Sequence, residues 1–319
     1  MTVSIWVTSL IPNSSMQTVL IAGGTGLVGI HLSKLLKSEG YEVIHLSRTR
    51  DMNAKFPAYH WDISKGTIEE EALEKADYII NLAGAGIADA RWTDSRKKLI
   101  IDSRVDSTLL LRDYIKKGIA KPKAYISASA IGYYGNTGET LVDEHTPPSP
   151  GEFLSDSTVL WEKAVDKVAE TEVRTVAIRI GIVLSTKGGA LEKMLISFNF
   201  FQGAYFGDGQ MWTSWIHIGD LCKAFQLAIE NEEMQGVYNA AAPNPARNKE
   251  LIKGIKEAKG SPAILLPVPE FGLKLLLGEM SAAVLGSTKV SDEKIRKAGF
   301  TFKYPELVPA LKDILNRKI

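Results

Sequence analysis

The segment Thr18-Val-Leu-Ile-Ala22, running straight into Gly23-Gly24-Thr25-Gly26-Leu27-Val28-Gly29, constrains this chain more than any other feature. A short β-branched and apolar run reads as a strand buried on both faces of a parallel sheet. The helical pattern after it sets Leu27, Ile30, Leu32, Leu35 and Leu36 on one side and stops at Gly40. Tyr41-Glu-Val-Ile-His-Leu46 is a second strand, which completes a βαβ unit. In that context, glycines spaced Gly-x-x-Gly-x-x-Gly permit a tight turn, a close backbone approach to pyrophosphate, and close helix–strand packing. The helix start points free N–H groups and its positive dipole end at the phosphates. We therefore expect a dinucleotide site with Gly23, Thr25, Gly26, Leu27 and Val28 around the phosphates; a plain structural turn is the alternative.

The end of the second strand selects between cofactors. A carboxylate there holds the ribose 2′-hydroxyl of NAD(H) and repels a 2′-phosphate. This chain has Ser47-Arg48-Thr49-Arg50 instead. A guanidinium grips phosphate bidentately and a hydroxyl donates to it, so Ser47 and Arg48 favour NADP(H) over NAD(H). The competing reading is a solvated basic turn, with Asp51 close by.

Strands alternate with helices well beyond the first unit. Glu69 to Lys75 reads as a charged helix, Asp77 to Leu82 as a strand, Asp102 to Ile115 as a helix and Ala124 to Ser127 as a strand. Ser155 to Thr171 then reads as a helix and Thr175 to Ile180 as a strand. This rhythm predicts an α/β fold with a doubly wound, mainly parallel Rossmann sheet and a smaller, mostly helical C-terminal substrate-side lobe. The expected divisions are an N-terminal extension over 1–16, a cofactor domain over 17–182 to which 216–240 returns, and a substrate-side lobe from 183–215 and 241–319. Asn248 to Ile319 is expected to be helical and punctuated by prolines.

Composition narrows the partners. With 38 Lys and Arg against 37 Asp and Glu the net charge is +1, so no bulk charge points to nucleic acid or an anionic membrane. One cysteine among 319 residues allows no intrachain disulfide and suits a reducing, cytoplasmic setting. The five histidines show no metal-ligand spacing, so no metal site is expected. No stretch has the ~20 mostly apolar residues that span a bilayer. The partner expected is a small molecule near the nicotinamide; the oligomeric state is open.

Further motifs make the chain recognisable: Asn81-Leu82-Ala83-Gly84-Ala85, Arg91-Trp92, Ser127 to Gly135, Trp215-Ile216-His217-Ile218-Gly219-Asp220, and a tail from Lys294 to Leu311. Together with the glycine loop they resemble the SDR39U1-like epimerase family, an atypical group of extended short-chain dehydrogenase/reductases with its own C-terminal domain. The resemblance runs from about residue 17 to the end. It implies an NADP(H)-binding Rossmann domain and a lobe covering the nicotinamide, and its matching motifs place Asp62 near the adenine. They also place Ala83, Gly84 and Ala85 along the cofactor's middle, and Ser129 where the superfamily keeps its catalytic serine. Asp62 capping a turn and Ser129 satisfying strand-end backbone are the structural alternatives. Arg104 either projects toward the cofactor or forms a surface ion pair. His217 reads as structural, and Asp220 as a helix N-cap. Trp92, Trp212 and Trp215 belong to a cleft or to the core.

One element of the superfamily's chemistry is missing. Its reaction uses Tyr-x-x-x-Lys on one helix, where the lysine charge lowers the tyrosine pKa from ~10 so that phenolate can exchange a proton as hydride moves. No tyrosine here has lysine four residues later, and the relevant helix carries Phe153 with Ser157 and Thr158. Two readings follow. In one, the protein is an oxidoreductase or epimerase of a small molecule, a sugar nucleotide by family resemblance, with Tyr133 or Tyr134 beside Ser129 as proton carrier. In the other, it is an NADP(H)-binding regulatory module of little turnover, linked to cell division only by analogy with relatives.

Overall fold

A computed structural model describes residues 16–316; apart from Met16, the expected N-terminal extension lies outside the described residues. The first strand, β1 (Thr18–Ala22), is buried at all five positions. It is flanked on one side by β2 (Glu42–Ser47), β3 (Ala58–Asp62) and β4 (Thr67–Ile68), and on the other by β5 (Tyr78–Asn81) and β6 (Ala124–Ala130). The strands Arg174–Ile180 and Gly236–Ala240 extend the second side to give eight strands in all. Every pairing is parallel except the terminal β3–β4 pair. The chain leaves β1 toward β2 on one side and later returns to β5 on the other. That reversal opens a crevice at the strands' carboxyl ends, where doubly wound sheets bind ligands.

Helices cover both faces. They include α1 (Leu27–Ser38), the short α2 (Glu70–Glu74), α3 (Asp94–Lys116) and α4 (Phe153–Ala169). Leu32 and Leu36 of α1, Leu111 of α3 and Val168 of α4 are fully buried with β1, β5 and β6 in one apolar core. The helix Ile218–Glu230 packs against α1 and adds Leu221, Ala224 and Phe225 to this core. A second core gathers Leu184, Leu191, Phe198, Trp215, Leu251 and Leu311 under the lobe.

Three local features depart from the sequence reading. The helix expected from Asp102 begins at Asp94, because Thr93 accepts a hydrogen bond from the Arg96 amide at 3.2 Å and caps it. β3 went unread: its residues Ala-Tyr-His-Trp-Asp lack the β-branched run that marks the other strands. Within the stretch expected to be helical, Ile264–Val268 is a strand paired in parallel with Gln202–Phe206. Pro267 fits there because this two-stranded sheet leaves an unpaired edge.

Candidate functional site

The glycine loop is built by close contacts. Gly23 has φ +78°, and a Cβ there would lie 2.8 Å from the Leu82 carbonyl. At Gly29 a Cβ would lie 2.5 Å from the Gly23 oxygen. α1 starts at Gly26 with no side-chain cap, so the first-turn amides of Leu27 and Val28 face the loop mouth unblocked. A pyrophosphate fits this cradle, since bare Cα atoms and open amides are what it requires.

Gly24 has a role the spacing did not announce: a Cβ there would meet the His45 ring at 2.4 Å. His45, on β2, is buried under the turn, and its Nε2 lies 2.8 Å from Ser33 Oγ. Ser33 Oγ in turn donates to the Gly29 carbonyl at 2.7 Å, so Nε2 carries the ring's proton and donates. Burial pushes the imidazole down to about 4.

At the far end of β2, Arg48 is exposed and makes no ion pair with any described residue. Arg50 is engaged, 3.2 Å from Glu69. The Asp51 carboxylate accepts the Asn53 amide at 3.0 Å within its own turn. Ser47 Oγ accepts the Thr49 amide at 3.3 Å. Asp62 ends β3, where its Oδ1 accepts Ser64 Oγ at 2.6 Å and the Ser64 and Lys65 amides at 3.0 and 3.2 Å. These bonds hold its carboxyl below the usual range, the Ser64 hydroxyl foremost. Its Oδ1 is thus committed to the turn, while its Oδ2 lies 3.6 Å from Lys65 Nζ.

Ala83, Gly84 and Ala85 follow β5 directly. Their course is set by Asn81, fully buried and unanticipated as a positioning residue. Its Oδ1 accepts the Ala83 amide at 3.1 Å, while its Nδ2 reaches Tyr125 Oη at 3.0 Å and Thr108 Oγ1 at 3.2 Å. Arg104 is not in a surface ion pair. Its Nη1 donates to the Ala85 and Ile100 carbonyls at 3.0 and 2.9 Å, and its guanidinium sits 5.1 Å from the Trp161 ring centre. Burial, helped by Arg96, lowers its pKa to about 10. Gly84 gives it room, since a Cβ there would lie 3.0 Å from Cζ.

Beyond this loop lies a cleft of about 580 Å³ between the sheet's carboxyl edge and the lobe, walled by Trp92, Ile131, Phe153, Ile182 and Trp212. Trp92 and Phe153 meet edge to face at 4.8 Å. Trp215 is core instead, fully buried.

The expected catalytic trio, Ser129, Tyr133 and Tyr134, is not among the residues that line this cleft. Ala130 lines it, so the strand's alternation turns the neighbouring Ser129 to the opposite face. There Ser129 Oγ donates to Glu162 at 2.5 Å, and Glu162 is held bidentately by Arg179 at 2.8 and 2.7 Å. Arg179 also donates to Tyr134 Oη at 2.8 Å, and Tyr134 donates to Asn239 at 2.8 Å. Tyr134 is buried, and burial pushes its phenol up to about 12. Tyr133 lies with its ring 3.4 Å from the Arg179 guanidinium and does not line the cleft. Both rings sit on a single 3₁₀ turn, Ile131–Tyr134, and meet edge to face at 5.5 Å.

His217 is structural as read: its Nδ1 accepts the Gly219 amide at 2.9 Å, and its Nε2 lies 3.1 Å from Asp313. It caps the helix in place of Asp220, whose carboxylate accepts the Lys303 and Tyr304 amides at 3.1 and 2.9 Å. Among the described residues no acidic, histidine or cysteine cluster could hold a metal ion, and no helix is long and apolar enough to cross a membrane.

Sheet, glycine cradle and capped cleft together define a nucleotide-binding Rossmann protein of the short-chain dehydrogenase type. The chain belongs to the NAD dependent epimerase/dehydratase family, whose model matches residues 19–241, and a domain of unknown function, DUF1731, matches residues 268–314. Within it the chain falls in the SDR39U1-like group. It is 38% identical to the epimerase family protein YfhF of Bacillus subtilis, over 94% of this chain and 98% of that one. It is 31% identical to human epimerase family protein SDR39U1, whose crystal structure with NADPH covers 95% of this chain and all of that one at a TM-score of 0.84. UDP-N-acetylglucosamine 4-epimerase from Bacillus cereus shares the fold, at 18% identity, 95% and 100% coverage and a TM-score of 0.75.

Proposed function

We propose that the chain binds NADP(H) in preference to NAD(H) and presents it to a small molecule held in the aromatic cleft. The observation that carries the preference is Arg48, an exposed guanidinium at the end of β2 with no ion pair among the described residues, and the nearby Asp51 carboxylate tied into its own turn. NADPH in the structure of the human relative supports the same reading. When bound, a nicotinamide supplies a hydride acceptor or donor. The chain's own residues seat its pyrophosphate on the Gly23–Val28 loop, receive its 2′-phosphate at Arg48 and Ser47, and line its middle with Ala83, Gly84 and Ala85. Arg104 fixes that last segment from behind. Arg48→Ala should weaken NADPH binding by about tenfold to a hundredfold and leave NADH binding unchanged. Calorimetric dissociation constants for both cofactors decide the matter: tighter NADH binding by the wild type defeats the preference.

A second reading, a cofactor-responsive module of little turnover, draws on the absence of Tyr133, Tyr134 and Ser129 from the cleft wall. An oxidoreductase or epimerase would consume or recycle NADPH when offered a library of carbonyl compounds. A regulatory module would leave it intact while gaining thermal stability from it.

A further inference from the structure

The cleft's charge is unlike that of a diphosphate site. Among the described residues that line it there is no arginine or histidine; its charged groups are Lys274, Glu152 and Glu279. Lys274 lies 3.4 Å from Glu270, and Glu279 is paired with Lys97. Glu152 makes no ion pair among the described residues. Its Oε1 accepts Ser149 Oγ at 2.8 Å and the Asn136 amide at 3.3 Å. Gly135 makes room for it, because a Cβ there would lie 2.7 Å from Oε1. The uncompensated charge in the cleft is therefore negative.

The cations near the rim are engaged or lie outside the lining, and Arg91 at the mouth donates to the Leu275 and Leu276 carbonyls. Arg247 is held by Glu139 at 3.1 Å, and Lys289, 4.6 Å from the Trp212 ring centre, does not line the cleft. A nucleoside diphosphate would enter against Glu152 with no guanidinium to clamp it. Most of the wall left to a ligand is flat rings and branched aliphatics; of its hydroxyls, those of Thr158, Ser214, Ser281 and Thr288 already donate to backbone carbonyls, which suits an apolar body with one or two hydrogen-bonding groups.

We propose that the cleft takes an uncharged, compact secondary alcohol, or the ketone related to it, with an aromatic or alicyclic body, and excludes nucleoside-diphosphate sugars. Glu152 accepts the hydrogen bond from the alcohol. This rests on the NADP(H) reading and names the class of molecule that the same site would hold.

The test is binding to the NADPH-saturated protein, in which an alcohol and reduced cofactor form a pair that cannot react. Calorimetry would compare 1-phenylethanol with UDP and UDP-glucose. The alcohol is expected to bind at least about tenfold tighter than either nucleotide. Glu152→Gln should weaken the alcohol by about threefold to tenfold while the NADPH dissociation constant and melting temperature stay unchanged. Nucleotide binding tighter than the alcohol, or no alcohol binding up to its solubility, overturns the proposal. Failure of NADPH itself to bind would be seen before any second ligand is added, and would sink the underlying cofactor reading instead.

Discussion

At Gly29 a methyl group has nowhere to go. Its nearest neighbours, at 2.5 to 2.7 Å, are backbone atoms of Gly23 and Gly24, which cannot rotate aside. Gly29→Ala should cost about 1–3 kcal/mol through overpacking and, on the NADP(H) reading, abolish thermal stabilisation by added NADPH. Gly26→Ala is the control: its backbone is extended with φ −74°, and the nearest atom to a Cβ is 3.3 Å away. That variant should melt close to the wild type, and equal losses in both would refute the contact argument. The same loop predicts a pH effect. His45 is held neutral to about 4, against about 6.5 in the unfolded chain, so the unfolded state takes up the proton first as pH falls. The stability this provides is whole above about pH 6.5, shrinks between about 6.5 and 4, and is gone below, at most about 3 kcal/mol. Denaturant titrations at pH 7 and pH 4.5 should show His45→Gln losing less over that interval than the wild type. Parallel losses would mean that His45 is not the titrating group.

Between elements, a buried polar link joins α4 to the sheet. Glu162 on α4 meets Arg179 on the strand Arg174–Ile180 through two bonds, with both side chains nearly sealed from solvent. Removing one partner strands the other's charge, so Arg179→Met alone should destabilise by about 3–5 kcal/mol. Pairing it with Glu162→Leu should recover much of the loss, and equilibrium unfolding of the two proteins makes the comparison. Additive losses would show that packing matters more than charge. This link also explains what the sequence concealed. Hydroxyls at Ser129, Tyr133 and Tyr134 were visible as a cluster at a strand end. Which face each takes depends on strand alternation and on the turn Ile131–Tyr134, and their partners Glu162, Arg179 and Asn239 come from distant segments. The shape of the glycine loop was legible because its causes are local: a buried strand, bare glycines and a helix start adjoin in the chain.

Across the whole molecule the same division holds. The parallel sheet follows from one repeated strand–helix rhythm. The lobe has no such rhythm, and its placement over the cleft is decided by contacts between segments far apart in sequence. Arg91, noticed only as part of a motif, donates to the Leu275 and Leu276 carbonyls at distances from 2.6 to 3.0 Å. Those carbonyls end the lobe helix Glu270–Leu277, where a cation satisfies both the free acceptors and the negative end of the dipole. Lys97 reaches Glu279 just beyond, and Lys193 donates to the Ala88 carbonyl at 2.9 Å. The segment around Ala88–Trp92 and the lobe are thereby clasped across the mouth of the cleft. Because these groups are largely exposed, breaking one bond should barely move the melting temperature, yet it should ease opening. Arg91→Ala is therefore expected to raise the NADPH dissociation rate by up to about tenfold with a change of only a few degrees in Tm. Stopped-flow displacement of NADPH measures that rate. If it is unchanged, the lobe does not control exit from the site.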